Sequence, residues 1–124
     1  MKAIAQTRLV AMIRSDAQRF EALKREIVHL DYFCKGTVLK RMMKCGNKKC
    51  ACHRDPAKRH GPYFECTYKV QTKTVNLKLY PEMTPLYRDA IRQYRKLRLL
   101  LGRMERLSRS ALAHLAQQKL TGAD

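Results

Sequence analysis

Apolar residues over the first thirty positions recur at Leu9, Ile13, Phe20, Leu23, Ile27 and Leu30. Steps of three and four mark the buried stripe of an amphipathic helix. Asp16 sits on the same stripe and interrupts it. Ser15 with Gln18 three residues on matches the capping-box pattern, which signals a helix start. The pattern therefore predicts a break near residue 15, with a main helix over about 16–32, a shorter helical piece before it, and Gly36 closing the segment.

The last third opens on Thr84–Pro85, a good N-cap followed by a proline suited to the first helical position. A heptad-like stripe follows through Tyr87, Ala90, Tyr94, Leu97, Leu101, Met104, Ala111 and Leu115, with one gap at Ser108. Arginines occupy the other faces: Arg88, Arg92, Arg95, Arg98, Arg103, Arg106 and Arg109. Gly102 weakens such a helix by about 1 kcal/mol without ending it. A stripe this long needs a partner surface, either the first helix or the same helix of a second subunit.

Between the helices the period changes to two. Thr37 to Met43 reads as one strand. Tyr63 to Val70 alternates, with Phe64, Cys66, Tyr68 and Val70 on one face. Thr74 to Tyr80 alternates with Val75, Leu77 and Leu79. Gln71–Thr72–Lys73 is short enough for a hairpin, although it lacks the Gly or Asn that favours a primed turn. The predicted fold class is α+β: a small antiparallel sheet with an inserted Cys/His loop, an N-terminal helix and a long C-terminal helix. It divides as an N-terminal helical segment, 1–34, a zinc-binding β module, 35–80, and a C-terminal helix, 81–124, of a single domain.

Charge changes this picture. The 124 residues carry a net charge of +17. Residues 35–80 hold twelve basic side chains against two acidic ones, so most of the excess lies in the middle third. Charge at this density repels itself unless a polyanion neutralises it, and nucleic acid is the expected polyanion. An acidic protein or a membrane surface is the alternative. No segment is long and apolar enough to cross a bilayer, and Gln6, Arg8 and Arg14 interrupt any signal-like run at the N-terminus. The expectation is a protein of the cytoplasm, lying at the nucleoid if it binds DNA. Five cysteines, an odd number, favour metal ligation or free thiols over disulfides in a reducing compartment.

The loop CGNKKCACHRDPAKRHGPY, residues 45–63, sets Cys45, Cys50, Cys52 and His60 in a C-x4-C-x-C-x7-H pattern. Three thiolates and one imidazole complete a tetrahedral Zn2+ set. A loop too polar to fold on apolar burial gains its stability from such an ion. Gly46 lets the backbone turn tightly beside the first thiol, and the neighbouring Lys and Arg favour thiolate over thiol. His53 is the competing fourth ligand but is adjacent to Cys52. Scattered reduced thiols and a redox role are the other readings of this loop. Cys34 and Cys66 read as small buried hydrophobes. Lys40, Arg41, Lys44, Lys48, Lys49, Arg54, Lys58 and Arg59 supply phosphate contacts around the loop. Tyr63 either packs beneath the loop, the favoured role, or stacks on a base.

On these residues the chain resembles an uncharacterised family of short basic bacterial proteins. The shared pattern falls on Cys45–Gly46, Cys50, Cys52 and His60–Gly61–Pro62–Tyr63, within a match over about residues 36–112. Gln71–Thr72 departs from it where a glycine is expected in the hairpin. Members of that family are often encoded beside transposases or integrases, so the resemblance implies a DNA transaction without implying an activity.

Catalysis finds little support. A nucleobase deaminase shows H-x-E with P-C-x-x-C, whereas His53–Arg54–Asp55 is H-x-D and no P-C-x-x-C exists. A two-metal nuclease needs clustered carboxylates, and the middle third has only Asp55 and Glu65. Tyr63 and Tyr87 alone are weak recombinase signals. The expectation is therefore a non-enzymatic, zinc-dependent accessory protein that binds nucleic acid, DNA before RNA. It would act with a recombinase or transposase and form a dimer or partner complex through Tyr87, Tyr94, Leu97, Leu101, Met104 and Leu115. The alternative is a helical adaptor that docks to a larger complex without touching nucleic acid.

Overall fold

The computed structural model describes residues 2–122; Met1 and residues 123–124, the ends of the first and last predicted segments, lie outside it. Helix α1 spans Lys2–Val28, strand β1 Thr37–Met43, β2 His60–Val70, β3 Lys73–Leu79 and helix α2 Thr84–Thr121. Short 3-10 turns cover Ala51–His53, Pro56–Lys58 and Pro81–Met83. The strands form one antiparallel sheet in the order β1-β2-β3. The predicted α+β architecture, with the Cys/His loop inserted between the first two strands, is the observed one.

By contacts the chain forms two compact units, residues 1–30 with 95–124, and residues 31–94. This division cuts across the three consecutive segments read from the sequence, because α2 contributes its first turns to one unit and the rest to the other.

In the helical unit α1 and the distal part of α2 run side by side. The buried positions of α1 are Leu9 and Asp16, with Ile13, Phe20, Leu23 and Ile27 half-buried between and beyond them and Leu30 half-buried just past the helix end. That is the predicted stripe, but it is unbroken. The helix does not divide near residue 15, and no Ser15–Gln18 box starts a new one. Asp16 is 2% exposed and keeps its place because Oδ2 lies 2.6 Å from His114 Nδ1 while Oδ1 accepts from Arg19 Nη2 at 2.8 Å. A carboxylate with both oxygens occupied is tolerated on an apolar stripe. Facing it on α2, Leu100, Met104, Leu107, Ala111 and His114 are buried or half-buried. Leu100 is 2% exposed, whereas Leu101 and Leu115, which the sequence pattern placed in the seam, are 50% and 41% exposed. The intrachain stripe is thus displaced by one residue at position 100.

In the sheet unit the core is Cys66, Leu79 and Ile91, with Cys34, Val38, Phe64, Tyr68, Leu77, Met83 and Tyr87 packed around them. Alternation does what it predicts: Phe64, Cys66 and Tyr68 pair across strands with Leu79, Leu77 and Val75, so one face is apolar. Val70 is exposed and adds nothing to it. Tyr94 stacks on Phe33, with centroids 6.1 Å apart, and so works within the chain, as Tyr87 does.

Three local predictions are corrected. α1 ends at Val28, well before Gly36. Gly36 takes φ +148°, and a Cβ there would lie 2.8 Å from Cys66 Sγ, so its smallness serves the sheet core. α2 begins at Thr84 as predicted, but Thr84 is not its N-cap: Tyr80 is extended, Pro81 opens a 3-10 turn that leads into the helix, and Thr84 is already helical with Oγ1 donating to Pro81 O at 2.9 Å. β2 begins three residues before Tyr63, because Met43 pairs with His60 across a register shift that leaves Gly61 and Pro62 opposite Met42. The irregularity accommodates a proline that has no N–H for the ladder. The hairpin closes on Gln71–Thr72, with Gln71 at φ +57°, a conformation that Gly or Asn adopts more cheaply.

Candidate metal centre and basic surface

The Met43–His60 pair sets the geometry of the loop. Cys45 lies two residues beyond the end of β1, and His60 is the first residue of β2. The ladder therefore brings together the first and last of four potential ligands that are fifteen residues apart in the chain. Cys50 and Cys52 flank Ala51 at the start of the first 3-10 turn. Asn47 shapes the intervening chain: its side-chain oxygen accepts from Lys49 N at 3.0 Å and its carbonyl from Cys50 N at 3.0 Å. The second turn is capped by Asp55, whose Oδ1 accepts from Ala57 N at 3.0 Å.

As a result one ligand atom from each of Cys45, Cys50, Cys52 and His60 falls within 4.8 Å of every other, and the group can hold a metal ion. Cys45 Sγ and Cys52 Sγ are 3.6 Å apart, and Cys50 Sγ is 3.4 Å from His60 Nε2. The Cys45 amide donates to Cys52 Sγ at 3.3 Å. His53 is not part of the group. Its Nε2 lies 2.8 Å from the carbonyl oxygen of Cys45, so a protonated Nε2 donates there and steadies the backbone of a candidate ligand.

The thiols are electrostatically unequal. The backbone N–H of Cys52, helped by His60 and by the thiols of Cys52 and Cys45, holds the Cys50 thiol down to about 6. Cys52 receives the Cys45 amide, which lowers it, but burial and the neighbouring Cys50 and Cys45 together push it up. Cys52 is buried at 1% exposure. A shared cation would offset the repulsion between thiolates packed this closely. Cys34 and Cys66 lie apart from it. Burial, then the proximity of Cys34, raises the Cys66 thiol, as befits a core residue.

The glycine that this site requires is Gly61, not Gly46. Gly61 has φ +135°, and a Cβ on it would come within 2.8 Å of Arg41 O. Gly46 has no positive φ, and nothing lies within 4 Å of where its Cβ would sit.

Of the predicted phosphate contacts, Lys40, Lys44, Lys48, Lys49, Arg54 and Lys58 are exposed. Arg59 is half-buried, and its Nε is buried without a hydrogen-bond partner. Arg41 is exposed but its Nε lies 2.8 Å from Glu65 Oε1, an ion pair whose angle does not make a hydrogen bond. Tyr63 is 43% exposed, so it does not pack beneath the loop as expected. It joins Arg41, Met43, Lys44, Phe64, Glu65 and Lys78 around a cavity of about 420 Å³. Lys78 and Glu65 went unnoticed as site residues in the sequence. Their pairing on adjacent strands was the signal, and it becomes visible only once the hairpin register is known. Among the described residues no helix is long and apolar enough to cross a membrane.

Residues 13–79 match the family described as Domain of unknown function (DUF6788). No curated protein and no solved structure matches the chain.

Proposed function

This chain is a member of the DUF6788 family, and from that premise we propose that it is an accessory, zinc-dependent nucleic-acid-binding protein of a mobile genetic element. The observation that carries the reading is the convergence of Cys45, Cys50, Cys52 and His60 inside a loop whose Lys44, Lys48, Lys49, Arg54 and Lys58 all face solvent.

Zinc is the ion that fits the donors. A tetrahedral Zn2+ with sulfur at about 2.3 Å and nitrogen at about 2.0–2.1 Å has S–S edges of roughly 3.8 Å and S–N edges of roughly 3.5 Å. The Cys45–Cys52 separation of 3.6 Å and the Cys50–His60 separation of 3.4 Å agree with both. Four protein donors would close the coordination sphere, which is the pattern of a structural ion and would leave no position for a substrate. Bound there, zinc supplies rigidity. It would tie the end of β1 to the start of β2 and hold a self-repelling basic loop in one shape. The loop then presents fixed charge to phosphate, DNA being favoured over RNA. Association with a recombinase or transposase extends the reading through the resemblance described above.

Binding of the purified protein to duplex DNA, measured against salt and after chelation, tests the proposal. Affinity should fall as salt rises and should collapse when the metal is stripped. Affinity that is indifferent to the metal, or an absence of binding at low salt, would overturn it.

The adaptor reading is favoured by a different observation. Leu101, Leu112 and Leu115 are exposed on α2, and their helical spacing puts them on one face, an apolar strip that suits a helical partner or a second copy.

A further inference from the structure

Strand alternation gives the sheet a second face. Arg41, Tyr63, Glu65 and Lys78 alternate with the core-facing residues, and the register places Arg41 opposite Tyr63 and Glu65 opposite Lys78. The cavity of about 420 Å³ opens on this face. Its chemistry is mixed in a particular way. Tyr63 and Met43 provide an aromatic and apolar wall, Arg41, Lys44 and Lys78 provide positive charge, and Glu65 provides a carboxylate; Phe64 borders the cavity while its side chain belongs to the core face. Oε1 of Glu65 is buried and, despite Arg41 nearby, accepts no hydrogen bond.

A site for phosphate alone has no use for an aromatic wall, and a carboxylate within it works against the anion. A nucleobase uses all three components. It stacks on an aromatic ring, its N–H donors need an acceptor, and its flanking phosphates need cations. We propose that this cavity receives one unstacked base of a single-stranded nucleic acid, with the base against Tyr63, its donor edge toward Glu65, and the adjoining phosphates on Arg41, Lys44 and Lys78. The inference rests on the nucleic-acid reading above and names the form of the substrate. Duplex DNA keeps its bases stacked and cannot fill the cavity, so the strand taken here is an unpaired one or one opened by a partner. Guanine fits the carboxylate best, because its ring N–H and amino group lie side by side, whereas thymine offers one N–H.

The candidate metal centre adjoins this cavity through the chain itself. Lys44 precedes Cys45, and Met43, on the cavity wall, pairs with His60. Loss of the ion should therefore loosen the cavity as well as the loop.

The experiment uses the metal-loaded protein with short dT oligonucleotides, with and without one central guanine, and a duplex of the same length at the same salt. Tyr63→Ala should cost about tenfold in single-strand affinity, clearly more than it costs on duplex, and Tyr63→Phe should restore it. The guanine strand should bind the wild type more tightly than plain dT, and Glu65→Gln should shrink that preference. If Tyr63→Ala weakens strand and duplex equally, or neither, while wild-type binding and its salt dependence persist, the cavity is not a base site and the broader nucleic-acid reading stands. If the wild type binds neither form, both fail together.

Discussion

Asp16 and His114 stand ninety-eight positions apart in the chain and meet at 2.6 Å, Oδ2 to Nδ1, with the carboxylate 2% exposed. The residue that breaks the hydrophobic rhythm of α1 is therefore answered by an imidazole on α2. A single buried polar pair of this kind fixes which turns of two helices face each other, since any slip would leave the carboxylate unpartnered.

The pair has a pH signature. The hydrogen bond from His114, and then its charge and the bond from Arg19, hold the Asp16 carboxyl below its ordinary 3.8 against the opposing effect of burial. A carboxyl depressed in the folded state contributes stability that is fully present above the unfolded value. That contribution is lost as pH falls through 3.8 toward the lower folded value. Acid unfolding of the wild type should steepen in that window, and His114→Ala should reduce stability at neutral pH and flatten the acid limb. Chemical denaturation at a series of pH values checks this. Replacing both residues with leucine should recover stability at neutral pH, because an apolar pair needs no partner charge. A double variant less stable than His114→Ala would show that an apolar pair cannot replace the buried polar one.

Neighbouring leucines on α2 should behave oppositely. Leu100, 2% exposed, should cost about 2–5 kcal/mol on truncation to alanine. Leu101, half exposed, should cost no more than about 0.5 kcal/mol in the monomer. Light scattering adds the test of assembly: if the exposed leucines contact a second copy, Leu101→Asp should lower the mass without unfolding the chain. A wild type that is monomeric at all concentrations would remove self-association from the adaptor reading.

Metal analysis of reduced, freshly purified protein should find about one zinc per chain. Cys45→Ser should abolish it and Cys34→Ser should leave it intact. His53→Ala should weaken retention against a competing chelator by about tenfold or more, as loss of a bond to a ligand's own backbone does. Zinc-free wild type, or equal losses from Cys34→Ser and Cys45→Ser, would defeat the assignment.

Gly61→Ala should destabilise by about 1–3 kcal/mol, because it combines φ +135° with a Cβ placed 2.8 Å from Arg41 O. Gly46→Ala, with nothing within 4 Å, should be tolerated. Thermal unfolding of the two variants with metal bound separates them. Equal stability would show that the bend at the start of β2 relaxes freely.

For nucleic acid, neutralising about five phosphates gives a slope near −4.5 in log affinity against log salt on duplex DNA. Replacing Lys48, Lys49, Lys58 and Arg59 with alanine should flatten that slope and weaken all sequences alike, since phosphate contacts carry no base code. Replacing Arg92, Arg95 and Arg98 tests the rival surface on α2. Loss of binding in the helix variant alone would move the interface there.

Periodicity along the chain was enough to place both helices, the three strands and the loop between the first two, because apolar spacing is a local property that the backbone reads directly. The candidate cluster was legible in part: Cys45, Cys50 and Cys52 stood out because few donors lie close enough in sequence to close on one ion, whereas the choice of His60 over His53 needed the Met43–His60 pairing. Pairings across long separations were not legible. Whether Asp16 ends a helix or occupies its core depends on His114, and nothing near residue 16 announces it. Whether Leu100 or Leu101 is buried depends on the phase of a helix against its neighbour, a rotation that a run of three leucines leaves open. The cavity beside Tyr63 exists because the β1–β2 and β2–β3 registers bring Arg41, Glu65 and Lys78 to one face. Register is settled by the packing of Cys66, Leu77 and Leu79 on the other face, beyond the reach of any local signal.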